Sequence, residues 1–98
     1  KNDEYTADGL YVCPSKHIVK ANGKEVVLTY KEFELLCLLI SNKGTVFNRD
    51  QILQRIWGFE FDGENRTVDV HIRTLRTKLG ECGALIETVR GIGYKIGG

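Results

Sequence analysis

Between Arg66 and Leu79 the chain places Arg66, Arg73, Arg76 and Lys78, with His71, against a single acid, Asp69. Guanidinium forks donate paired hydrogen bonds to phosphate or to a guanine edge, and a small apolar group such as Val70 fits a thymine methyl. This segment therefore carries the chemistry for holding duplex DNA. A second basic stretch, Arg90, Tyr94 and Lys95, follows within the last ten residues, and three acids, Glu60, Asp62 and Glu64, stand just before Arg66. Net charge over the 98 residues is only +1, which alone argues for no partner. The distribution says more. Residues 1–65 hold eight basic and ten acidic side chains, whereas residues 66–98 hold six and three. An anion-binding surface belongs in the last third.

Catalysis finds no support. There is no Walker loop, no H-E-x-x-H and no G-x-S-x-G. Gly91-Ile92-Gly93 lacks a third glycine at the required spacing and no helix follows it to bind phosphate. The two histidines, His17 and His71, come from different regions and face no evident nucleophile. The chain reads as a non-enzyme that needs no cofactor and no metal. Cys13, Cys37 and Cys82 form an odd set without C-x-x-C spacing, too sparse for a disulfide scaffold or a zinc knuckle. Cys37, set among leucines, reads as a buried free thiol, and a reducing, cytoplasmic home is expected. The longest apolar run, Leu35 to Ile40, is six residues, far short of the roughly 20 a membrane span needs. No signal-peptide pattern is present, and Asn65-Arg66-Thr67 would be a glycosylation acceptor only in a secreted protein. Lys1 opens a chain without methionine, so residues 1–98 are expected to be one domain excised from a larger protein.

Several elements must position the basic residues. Leu10 to Cys13, His17 to Lys20 and Glu25 to Leu28 are rich in Val, Ile and Tyr and read as short strands. Asn22-Gly23 between the last two supplies the positive φ angles of a tight hairpin, so this third should be a small antiparallel sheet. Thr29 and Glu32 have capping-box spacing. Phe33, Leu36, Cys37 and Ile40 follow at i, i+3, i+4, i+7, predicting an almost wholly apolar helix ended by Gly44. Asn48 and Gln51 repeat the cap spacing before a second helix, marked by Ile52, Leu53, Ile56 and Trp57 and closed by Gly58. The chain ends in two strands, Leu85 to Arg90 and Tyr94 to Ile96, around a glycine turn.

The third helix, Arg66 to about Leu79, organises the interface. On a wheel, Val68, Ile72, Leu75 and Leu79 fall within roughly 60° of one another, a narrow stripe for the core. Arg66, Val70, Arg73, Thr74 and Thr77 lie about 130° or more from its centre. Two choices break surface rules. Arg66 puts positive charge in the first turn, against the helix dipole, and Val70 faces outward where it adds little to propensity. Asp69, three residues after Arg66 and four before Arg73, is placed to orient either guanidinium.

Leu28-Thr29-Tyr30-Lys31-Glu32-Phe33-Glu34-Leu35-Leu36 resembles the L-T-x-x-E-F-x-L-L opening of the effector domain of OmpR/PhoB-type response regulators. Trp57-Gly58, then Arg66-Thr67-Val68-Asp69-Val70-His71-Ile72 with Leu75-Arg76 and Lys78-Leu79, and lastly Thr88-Val89-Arg90-Gly91-Ile92-Gly93-Tyr94, extend the likeness in order along nearly the whole chain. The resemblance implies an α+β winged helix-turn-helix: an N-terminal four-stranded antiparallel sheet, three helices and a C-terminal β-hairpin wing. It implies double-stranded DNA as partner, with the third helix in the major groove and the wing in the adjacent minor groove. Contact positions then fall on Arg66, Val70, His71, Arg73, Thr74 and Arg76, on Thr88, Arg90 and Tyr94 in the wing, and on Trp57 near the phosphates. Thr74 stands where several members carry arginine. The loop from Gly58 to Asn65, with Glu60, Asp62 and Glu64, corresponds to the segment that touches RNA polymerase. Tandem direct repeats, self-association on DNA and a receiver domain outside this chain complete what the resemblance implies. The competing reading is a winged helix that makes only protein–protein contacts.

Overall fold

The computed structural model describes residues 3–58 and 63–97. Strands β1 (Tyr5–Ala7), β2 (Leu10–Cys13), β3 (Ile18–Ala21) and β4 (Lys24–Glu25) form an antiparallel meander in that order. Leu10, Val12 and Val19 turn to the core from one face, since Val12 pairs with Val19 and Leu10 with Ala21. Asn22 and Gly23 adopt φ of 53° and 85°, the mirror-image turn that matches strand twist. The expected strand at Glu25 to Leu28 is shorter and earlier. Beyond Glu25 one further bond joins the Val26 N–H to the Val19 carbonyl at 2.8 Å, and the chain then leaves for the Thr29 cap. Strand β1 was not anticipated from composition, although Asp8-Gly9 turns into β2 with φ of 41° and 92°.

Helix α1 (Tyr30–Ile40) begins with the capping box as expected. Thr29 Oγ1 accepts from the Glu32 N–H at 3.3 Å, and Glu32 Oε1 accepts from the Thr29 N–H at 2.9 Å. The helix stops at Ile40, four residues before Gly44, whose N–H instead bonds the Ile96 carbonyl at 2.9 Å. Strand β5 (Phe47–Asn48) leads into α2 (Arg49–Ile52), again through a complete capping box, Asn48 with Gln51. The helix then widens: Leu53–Trp57 is π-helical, closed by a 3.0 Å bond from the Gly58 N–H to the Leu53 carbonyl.

Helix α3 (Arg66–Leu79) has the predicted bounds, and its stripe of Val68, Ile72, Leu75 and Leu79 is buried in one core cluster with Leu35, Leu36, Leu39 and Ile40 of α1 and Leu10, Val12 and Val19 of the meander. Each such fully buried aliphatic side chain contributes about 1.5–3 kcal/mol. A 3₁₀ segment, Gly80–Leu85, returns the chain to the hairpin β6 (Ile86–Val89) and β7 (Gly93–Ile96). The hairpin is tied to the helices through β5, giving a three-stranded sheet in the order β5-β7-β6. This is a winged helix-turn-helix, with the N-terminal sheet as a platform under the helices.

Candidate nucleic-acid interface

Amphipathic α3 buries its apolar stripe and must therefore present the opposite face outward. Arg66, Val70, Arg73 and Thr77 are exposed, Val70 at 56%, and Thr74 is half-buried among them. Thr74 Oγ1 donates to the Val70 carbonyl and Thr77 Oγ1 to the Arg73 carbonyl, each at 3.1 Å. Both hydroxyls thus bond their own helix, leaving methyl groups and acceptor lone pairs for a ligand. Beside the first half of α3 a shallow cleft is lined by Glu64, Arg66, Thr67, Val70 and His71.

Asp69 corrects one expectation. It orients neither Arg66 nor Arg73. Its Oδ1 accepts from Arg49 Nε at 2.8 Å and from the Tyr94 hydroxyl. The residue sits on the flank of α3 that faces α2 and β7, so tertiary partners displace neighbours along the helix. Arg66 instead donates through Nε to Glu64 Oε1 at 2.8 Å.

The remaining candidates separate into an exposed group and a packed one. Arg90 and Thr88 are exposed on the hairpin, and Ile92 beside Arg90 is 55% exposed. Arg76 is half-buried: Nε and Nη2 donate to the Ile86 carbonyl, and Nη2 reaches Thr88 Oγ1 at 2.8 Å. Tyr94 is only 5% exposed, its ring flanked by the guanidinium groups of Arg49 at 5.6 Å and Arg76 at 5.8 Å. His71 Nδ1 lies 2.9 Å from the Thr67 carbonyl, and its ring meets Trp57 edge to face at 4.8 Å. Lys31 Nζ stands 5.6 Å over the Trp57 ring and donates to the Ile56 carbonyl at 2.7 Å. Glu60 and Asp62 lie outside the described residues.

Burial alone would raise the Asp69 carboxyl, but the Tyr94 hydroxyl and the Arg49 guanidinium outweigh it and hold it below the usual carboxylate range. Burial, then the Asp69 carboxylate, pushes the Tyr94 phenol up. The hydrogen bond that Arg49 donates to the Asp69 carboxylate raises the guanidinium further. Asp69 is therefore ionised and Tyr94 is a protonated donor at neutral pH. Arg49 is a residue that sequence reasoning missed. Its signal was the one noted for Arg66, a cation in the first turn of a helix.

Residues 23–96 match the family model described as transcriptional regulatory protein, C terminal. The chain belongs to that family. It is the C-terminal effector type of the OmpR/PhoB regulators. Over 97 residues this effector domain is 45% identical to the heme response regulator HssR of Staphylococcus saprophyticus, covering 97% of this chain and 43% of the relative. It thus spans less than half the length of that regulator. The Klebsiella pneumoniae RstA DNA-binding domain, solved in complex with the RstA box, is similar with a TM-score of 0.85 and 31% identity over 98% of both chains. DrrB, a Thermotoga maritima OmpR/PhoB homologue, superposes with a TM-score of 0.89 and 31% identity, covering all of this chain and 46% of DrrB.

Proposed function

We propose that residues 1–98 are the double-stranded-DNA-binding output domain of a two-component transcriptional regulator. The observation that carries the reading is the exposed face of α3, where Arg66 and Arg73 flank Val70, bonded through Arg76 to a hairpin that exposes Arg90. A helix face of this width fits the major groove, and arginine at a hairpin tip suits the adjacent minor groove. In this reading Arg66, Val70, Arg73 and Thr74 meet bases or phosphates, His71 and Trp57 line the backbone, and Thr88 and Arg90 serve the wing. Arg76 and Tyr94, committed to internal partners, act from beneath.

The same reading places the protein in the cytoplasm, under a receiver domain outside this chain, on tandem direct repeats where copies self-associate. A net charge of +1 makes one copy a weak binder, and pairing on adjacent repeats multiplies affinity through effective concentration. The Gly58 to Asn65 segment, with Glu60, Asp62 and Glu64, is proposed to meet a basic patch of RNA polymerase. RstA in complex with its box supports the DNA partner by likeness of fold and sequence.

A salt titration with duplex tests the core of the proposal. Neutralising about 4 to 6 phosphates gives a slope of log K against log salt near −4 to −5. A flat titration would transfer the domain to the protein-contact reading. Selection from a random duplex pool then reports the preferred sequence and the repeat spacing together.

A further inference from the structure

Tyr94 joins the elements that the DNA reading asks to work as a unit. Its backbone pairs with Phe47 of β5 on one side and Thr88 of β6 on the other. Its hydroxyl donates to Asp69 Oδ1 on α3, and the same oxygen accepts from Arg49 at the start of α2. Arg76, from the next turns of α3, bonds the Ile86 carbonyl and Thr88 Oγ1 on the outer wing strand. Helix α3 is thus linked to β7 through Asp69 and to β6 through Arg76, one link for each strand of the hairpin.

We propose that Asp69 and Tyr94 are positioning residues that hold the wing at one spacing from α3 and so set selectivity for the base pairs under the wing, without touching DNA. The proposal rests on the DNA reading above. A two-stranded hairpin is marginal alone, and this one is anchored in its sheet by a β5 of two residues. Apolar contacts beneath it fix depth but are non-directional. Hydrogen bonds weaken steeply with angle, so links to both strands restrain the tilt of the hairpin over α3. A wing free to tilt would still deliver Arg90 to phosphate but would no longer register it on a particular step.

Affinities of the wild type, Tyr94→Phe, Asp69→Asn, Arg90→Ala and the Tyr94→Phe/Arg90→Ala double variant would be measured. The duplex carries a selected site and is altered either in the flank under the wing or in the base pairs under α3. Tyr94→Phe keeps the ring near the Arg49 and Arg76 guanidinium groups and loses only the hydroxyl, and thermal melting sets the temperature at which every variant is folded. The expected result is a loss of flank preference of about three- to ten-fold in Tyr94→Phe and Asp69→Asn. Preference under α3 stays unaltered, and the double variant is no worse at the flank than Arg90→Ala alone. Flank preference lost in Arg90→Ala but retained in Tyr94→Phe and Asp69→Asn overturns the proposal by itself. An equal loss under wing and helix also overturns it, because that is general destabilisation. A flank preference unaffected by Arg90→Ala overturns it together with the wing's place in the groove, while DNA binding through α3 stands.

Discussion

Lys78 Nζ, in the last turn of α3, donates to Glu32 Oε1, in the first turn of α1, at 2.8 Å. Glu32 is only 4% exposed, and the same oxygen accepts from the Thr29 N–H. One carboxylate therefore caps α1 and ties α3 to it. Burial would raise this carboxyl, but the Lys78 ammonium and the Thr29 amide outweigh burial and hold it below its ordinary value of 4.5. A depressed folded value means stability that is complete above the unfolded value and lost as pH falls through the folded one. Glu32→Gln should cost about 1–2 kcal/mol at neutral pH, below the 3–5 of a fully buried pair because water screens Lys78. The gap to wild type should persist through mildly acid pH and close only as pH falls well below that ordinary value and the wild-type carboxyl takes up its proton. Denaturant melts at neutral and acid pH check this, and a gap of constant size would refute it.

Gly93 is where the wing meets the helices. A Cβ there would stand 2.0 Å from the Phe47 carbonyl oxygen and 2.8 Å from Asn48 Cα, both backbone atoms that cannot swing aside. Gly93→Ala should destabilise by about 3 kcal/mol or more, the upper end of overpacking, by splitting β5 from β7. Gly91, with φ of 75° and open space around it, should cost only the left-handed penalty of about 1–2 kcal/mol on the same substitution. Equal melting temperatures for the two variants would contradict this ordering.

The parts legible from sequence were those set by local spacing. Thr29 with Glu32 and Asn48 with Gln51 announced two helix starts because a capping box involves four consecutive residues. The four-residue stripe of α3 fixed its bounds and its buried face, since 3.6-residue periodicity is strong over fourteen residues. What stayed hidden depends on partners distant in sequence. Phe47 pairing with Tyr94, Asp69 reaching Arg49 rather than Arg66, and Tyr94 lying in the core are tertiary choices that no local pattern encodes. Strand β1 is different. Asp8-Gly9 is a hairpin signal standing in plain sight, and the three-residue length of Tyr5–Ala7 masked it.

Glu64 holds Arg66 at 2.8 Å on the proposed DNA-binding face, and both side chains are exposed. Removing this acid frees the guanidinium for phosphate and lessens repulsion of the duplex. An exposed pair is worth about 0.2–1 kcal/mol, so Glu64→Gln should tighten duplex binding by up to about five-fold at low salt, the gain fading as salt rises. Fluorescence anisotropy at two salt concentrations measures it. Weaker binding would show that Glu64 orients Arg66 toward DNA instead of competing for it.

Val70 and Thr74 stand four residues apart on the outward face, and the Thr74 hydroxyl is turned onto the Val70 carbonyl. The pair therefore offers DNA an apolar strip, where a guanidinium at position 74 would have offered a guanine-reading fork. In the major groove the matching apolar group is the thymine C5-methyl. Replacing thymine by uracil at the base pairs under α3 removes that methyl and changes neither charge nor Watson–Crick pairing. Affinity should fall by about 0.8 kcal/mol for each buried methyl lost, close to four-fold. Val70→Ala should abolish most of that sensitivity, and Arg73→Ala should leave it intact while relaxing preference at a neighbouring base pair. Binding indifferent to the methyl in the wild-type protein would mean that this strip faces the sugar–phosphate backbone, and that Arg66 and Arg73 carry the base selectivity without it.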